Sequence, residues 1–87
     1  MRQQQLLRQA ILLQLEASSP TSLPLSTIRQ GVALAGLKST EKTVLKELSY
    51  LGDKGMIETL VPDLDAADKR YRLTASGQDY LEAEDLV

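Results

Sequence analysis

At 87 residues, 43% of them hydrophobic, the chain holds enough apolar material for one modest core and too much for wholesale disorder. It has no His and no Cys, which removes the commonest general bases, nucleophiles and zinc ligands along with every disulfide. The net charge of −2 and a pI near 5.0 exclude a generally basic nucleic-acid binder, so any such role must rest on a local patch.

The only aromatic residues are three tyrosines, so the core must be built from Leu, Ile, Val and Ala, which suits packed helices. No apolar run approaches the ~20 residues of a membrane span. The first residues lack the apolar block and small-residue cleavage site of a secretion signal. Together with the absence of cysteine, this predicts a cytoplasmic protein without membrane contact, and the whole of 1–87 reads as a single domain.

Residues Arg2 to Ala17 predict a helix. Leu7, Ile11 and Leu15 line one stripe, and Leu6, Ala10, Leu13 and Ala17 line an adjacent one. The two stripes cover about half the circumference, wider than the ~100° of an ordinary surface helix. Gln5, Arg8, Gln9 and Glu16 fill the remainder, with Leu12 among them. Such a helix is either buried between neighbours of its own domain or packs part of its face on a second copy. The second option places Leu6, Ala10 and Leu13, with Leu81 from the end of the chain, in a homodimer interface.

Residues 18–24 read as a loop, since Ser, Thr and Pro favour turns. Leu25 is expected to add a short strand residue, and Ser26 to cap a second helix whose buried face is Ile28, Val32 and Ala35. Gly31 costs that helix roughly 1 kcal/mol relative to Ala unless close packing needs the missing side chain. Gly36 ends it. Ser39 is expected to cap a third helix, with Glu41 at its positive dipole end and Val44, Leu45, Leu48 and Leu51 on its apolar face.

Met56 to Val61 is rich in β-formers, and in Lys69 to Leu73 the side chains alternate, Tyr71 and Leu73 on one face and Arg70 and Arg72 on the other. Residues 62–68 form a polar turn between them. Thr74 then starts a fourth helix with a partial apolar face of Tyr80, Leu81 and Ala83.

The stretches TVLKELSYLGDKGMIE (43–58) and KRYRLTASGQDYL (69–81) carry a resemblance. The first is similar to a recognition helix running into "L-x-x-x-G-hydrophobic-I", the second to a "Y-x-L-T-x-x-G-x-x-Y-L" close. Both resemble the winged helix-turn-helix superfamily, in particular regulators of the MarR and PadR kind, over nearly the whole chain. The resemblance implies an α+β, mainly α fold with a three-helix core, a two-stranded β-wing and a C-terminal helix. Members mostly bind double-stranded DNA as dimers and regulate transcription, while a minority are protein–protein modules. The chain departs from the pattern in its acidic wing tip (Asp63, Asp65, Asp68), and it is shorter than a typical MarR protein.

On a helical wheel the face opposite Leu48 carries Ser39, Lys42, Thr43, Lys46 and Tyr50, with Glu41 on the inner side and Glu47 on a flank. With Thr40, this cationic, hydroxyl-rich face supplies what phosphate and base-edge contacts require. An ordinary solvated face collects the same residue types. Arg70 and Arg72, with Lys69 beside them, would hold the DNA backbone or enter the minor groove. The alternatives are pairing with Asp63, Asp65 or Asp68, or a charged edge strand that deters aggregation. Two lysines per helix give weak affinity, so DNA binding needs a two-fold dimer that places two such helices about 34–36 Å apart. The other function class is a winged helix that binds protein, to which the acidic wing and the wide apolar first helix are suited.

No enzyme is expected, and no cofactor or metal. The carboxylates fall mainly in loops and near the end of the chain, and the three wing aspartates lack the glycine and the terminal glutamate of a calcium loop.

Overall fold

The computed structural model describes residues 2–61 and 69–87. The element order is α1 (Arg2–Ser18), β1 (Leu23–Pro24), α2 (Leu25–Leu34), α3 (Glu41–Asp53), β2 (Ile57–Leu60), β3 (Arg70–Leu73) and α4 (Ala75–Ala83). This is an α+β, mainly helical winged helix, and α2 with α3 forms its helix-turn-helix.

Leu, Gln and Ala dominate α1, all ready helix formers, and Pro20 lies just beyond its end. The second helix begins two residues earlier than Ser26 would cap it and takes in Leu25, the residue expected to extend a strand. Pro24 holds the N-cap position in extended conformation and makes no side-chain cap, so Ser26 lies inside the first turn. The cause is the strand immediately before: Pro24 is the last residue of β1 and pairs with Arg70. Proline is tolerated there because β1 is an edge strand.

At the end of α2 the chain turns through Gly36 at φ +83°, with Leu37 N–H donating to Val32 O at 3.2 Å and Gly36 N–H to Ala33 O at 3.0 Å. Gly55 closes α3 in the same way at φ +75°, with Met56 N–H on Leu51 O. Both are Schellman closures, and both need a residue that accepts the left-handed region. The N-cap of α3 is Thr40, whose Oγ1 accepts from Thr43 N–H at 3.1 Å, and Ser39 stands one residue outside. Thr74 caps α4 as predicted, accepting from Gly77 N–H at 3.2 Å. Its hydroxyl also donates to Gly55 O, which ties the start of α4 to the end of α3.

The sheet has three antiparallel strands in the order β1-β3-β2. The expected ribbon of β2 and β3 is present, in a register that sets Ile57 against Leu73 and Glu58 against Arg72, and β1 adds an edge. The turn expected at 62–68, with Asp63, Asp65 and Asp68, falls outside the described residues.

The core consists of Leu7, Ile11, Leu12 and Leu15 from α1, Ile28 and Val32 from α2, Val44, Leu48 and Leu51 from α3, Ile57, Tyr71 and Leu73 from the sheet, and Leu81 from α4. Because α1 packs against α2, α3, α4 and β3 at once, its apolar face had to be wide. Leu12, which the wheel left among polar residues, is completely buried. Ala35 and Leu45 are corrections of the opposite kind. Ala35 is exposed, and Leu45 keeps 41% of its surface because it points along the groove between α3 and the sheet.

Gly31 is explained by packing: a Cβ there would run into the Gln14 side chain, whose amide donates to Thr27 O at 2.8 Å across the α1–α2 contact. Burial pushes the Tyr71 phenol above its usual pKa, so it stays neutral within the core.

Candidate nucleic-acid interface

The start of α3 and the turn ahead of it bring together five of the eight residues singled out in the sequence, Ser39, Thr40, Lys42, Thr43 and Lys46. Lys42, Thr43 and Lys46 are exposed, and neither lysine takes part in an ion pair among the described residues. Thr40 is exposed too, but its hydroxyl is committed to the cap and lies 3.0 Å from the Thr43 hydroxyl. Ser39 sits half-buried in the turn ahead of the helix.

Lys38, which the wheel does not project because it precedes the helix, belongs to the same surface. Its side chain is exposed and its carbonyl accepts from Gln3 Nε2 at 2.9 Å. Lys38, Thr43 and Lys46 line a cleft of about 270 Å³ between the start of α1 and α3. The signal for it was the lysine in the GLKS turn.

Tyr50 stands apart at the far end of α3, 37% exposed. Its ring is covered by the Arg8 guanidinium, 3.9 Å from the ring centroid, with the Lys54 ammonium at 5.7 Å. It thus meets one cation from α1, Arg8, and one from the end of its own helix, Lys54. Behind this surface lies Glu47, 2% exposed, which the sequence placed on a flank. Arg8 Nε donates to its Oε1 at 2.6 Å and Gln4 Nε2 to its Oε2 at 3.0 Å. Burial alone would raise this carboxyl. The hydrogen bonds from Arg8 and Gln4, with the charges of Arg8 and Lys46, outweigh it and hold the group below its ordinary value.

The two wing arginines project on one side of β3, as their alternation predicted, but they do different things. Arg72 faces its cross-strand partner Glu58 at 2.7 Å, both part exposed. Arg70 donates Nε to the Ser22 hydroxyl at 2.9 Å and a terminal N–H to the Ser22 carbonyl at 2.7 Å, pinning the loop before β1. Pairing with Asp63, Asp65 or Asp68 lies outside the described residues. Lys69 is exposed and lines, with Leu45, Ser49 and Thr59, a groove of about 500 Å³ between α3 and the sheet.

Of the four residues assigned to a dimer face, Leu6 is 46% exposed and Ala10 and Leu13 are half-buried. Leu81 is fully buried in the core of its own protomer and has no surface to offer. It is the residue on which α4 docks, so its apolar character serves the fold.

The overall acidity hides the patch. Seven of the twelve acidic residues fall in 62–68 and 75–87, stretches without Lys or Arg, and the rest of the chain carries all ten basic residues against five acidic ones. Among the described residues no helix is long and apolar enough to cross a membrane, and no three acidic, His or Cys side chains gather as a metal site.

No family model and no curated protein matches the chain. Among solved structures it is similar to the crystal structure of a PadR family transcription regulator from hypervirulent Clostridium difficile R20291. The TM-score is 0.67 at 20% sequence identity, over 88% of this chain and 83% of that one. At that identity the likeness is one of fold, and it matches the winged-helix arrangement of α1 to α4.

Proposed function

We propose that this winged helix binds double-stranded DNA as a homodimer and acts as a cytoplasmic transcriptional regulator, with α3 in the major groove. The observation that supports it best is the outward face of α3, where Lys42, Thr43 and Lys46 stand exposed with Lys38 beside them and no acidic partner among the described residues. The solved structure of similar fold is described as a transcription regulator, which points the same way. Thr40, Lys42, Thr43 and Lys46 meet base edges and phosphates, Ser39 and Tyr50 flank them, and Arg72 reaches the backbone. Arg70 acts mainly by fixing the loop at Ser22.

An anisotropy titration with random duplex at about 50 mM salt tests this, since phosphate neutralisation supplies most non-specific affinity. Micromolar binding that weakens with salt is the expected result. Lys42→Ala and Lys46→Ala should each flatten the log–log salt slope by about one phosphate contact. Unchanged slopes in both variants would remove α3 from the interface.

The dimer rests on the exposed Leu6 and its half-buried neighbours Ala10 and Leu13 on α1. Leu6→Glu should shift sedimentation to the monomer without altering the helical circular-dichroism signal, and lower duplex affinity with it. A Leu6→Glu protein that still sediments as a dimer would put the interface elsewhere.

A second reading, a module that docks on another protein, is favoured by Leu34, which is 89% exposed among the exposed Ala33, Ala35 and Gly36 at the end of α2. Silence in the low-salt titration selects it.

A further inference from the structure

We propose that the buried Glu47 carboxylate, gripped from α1 by Arg8 and Gln4, fixes the rotation of α3 about its axis and so decides which side chains that helix presents. The claim rests on α3 being the contact helix, and it makes Arg8, Gln4 and Glu47 positioning residues.

The other core residues of α1 and α3 are aliphatic: Leu7, Ile11, Leu12 and Leu15 on one helix, Val44, Leu48 and Leu51 on the other. Such surfaces bury well in more than one rotation, and aliphatic cores lose uniqueness before they lose stability. Glu47 is the one buried charged residue among those described. Both of its oxygens are taken, by donors one turn apart on α1. One turn further along α3, the Tyr50 ring sits under the same Arg8 guanidinium. The first helix therefore holds the third at Glu47 twice and at Tyr50 once, over a stretch that begins next to Lys46.

At about 100° per residue, an inward Glu47 dictates where Lys42, Thr43 and Lys46 point. Buried ion pairs add little net stability over apolar replacements, and their attested use is to select one arrangement among several. Contact side chains must stay within about 10–20° of productive geometry to work. A 20° turn of a helix whose side chains reach about 5–6 Å from the axis moves their tips by about 2 Å.

The absence of cysteine makes the test direct. Nitroxide labels are placed through Ala17→Cys on α1 and Lys42→Cys on α3, both exposed sites, and the distance between them is measured by pulsed electron resonance. Adding Arg8→Met with Glu47→Met should leave the melting temperature near that of the parent while shifting or widening the distance distribution by about 2 Å or more. An unmoved, equally narrow distribution overturns the proposal. Should the double variant not fold, Gln4→Leu at an exposed position decides in the same way, because it removes one grip only.

In unlabelled protein, the double variant should bind duplex about tenfold more weakly. A displaced helix with undiminished affinity overturns the link to recognition. If the parent itself ignores duplex, the DNA reading fails, and the label distances still judge this one.

Discussion

Gly77→Ala is expected to destabilise the protein by about 2–3 kcal/mol and to lower its melting temperature by about 10–20 °C, for a chain of this size. Gly77 is the third residue of α4 and is buried. A Cβ there would collide with the Met56 carbonyl oxygen and with the Leu73 side chain. The Met56 carbonyl cannot step aside, because it also accepts from Thr74 N–H at 3.1 Å and follows directly on the Gly55 turn. The clash is with backbone, so no rotamer change relieves it.

Gly52→Ala is the matched control. It lies in α3, where the added methyl meets nothing within 4 Å, and it should stabilise by up to about 1 kcal/mol through helix propensity alone. Thermal melts of both variants check the pair. A Gly77→Ala protein that melts within a degree or two of the parent would show that α4 does not seat on the Met56 turn.

That seat was half visible in the residues. Thr74 announced a helix start and Gly36 a helix end, because cap and closure chemistry are local and one residue type suffices to signal each. The alternation of Tyr71 and Leu73 against Arg70 and Arg72 likewise gave the sheet its inner and outer faces, and the structure keeps both. What the pattern misplaced were positions whose fate depends on a partner far along the chain. A wheel gives an angle and not a neighbour, so Leu12 looked stranded although α1 packs against three helices and a strand and Leu12 is left no exposed surface. Glu47 looked like a flank because its burial depends on Arg8, 39 positions away. Leu81 carried the right chemistry for an interface and spends it on the core.

The candidate surface divides along the same line. Lys42, Thr43 and Lys46 were legible since solvent exposure on a helix follows from periodicity. The commitments of Arg70 to Ser22 and Arg72 to Glu58 were not, since strand register and loop path decide them. Lys38 was passed over for a related reason. It joins the surface only because the N-terminal turn of α1 comes to rest beside the turn before α3, where Gln3 meets its carbonyl.

Removing the partner of Glu47 should have a large effect that depends on pH. Arg8→Ala leaves a carboxylate only 2% exposed with Gln4 as its single hydrogen-bond donor among the described residues. Stranding one member of a buried pair costs about 3–5 kcal/mol, and Arg8 is itself 27% exposed, so water reaches the gap and about 3 kcal/mol is expected near neutral pH. In the parent, the folded carboxyl lies below its ordinary value of 4.5, so its contribution is complete above that value and drains away as pH falls through the lower folded one. In the variant the hydrogen bond and charge of Arg8 are gone, and only Gln4 and Lys46 are left to oppose burial, the strongest influence on this group. The carboxyl then protonates more readily in the folded state, which relieves the variant in acid. The stability gap between the two proteins should therefore be widest at neutral pH and close as pH falls below about 4.5. A residue of less than about 1 kcal/mol, the lost stacking of the guanidinium on Tyr50, should persist at every pH. The other carboxylates titrate alike in both proteins and cancel from the difference. Urea melts of parent and variant at neutral pH and near pH 3 measure it directly, and a gap of equal size at both would mean that the charge on Glu47 contributes nothing to holding α3 on α1.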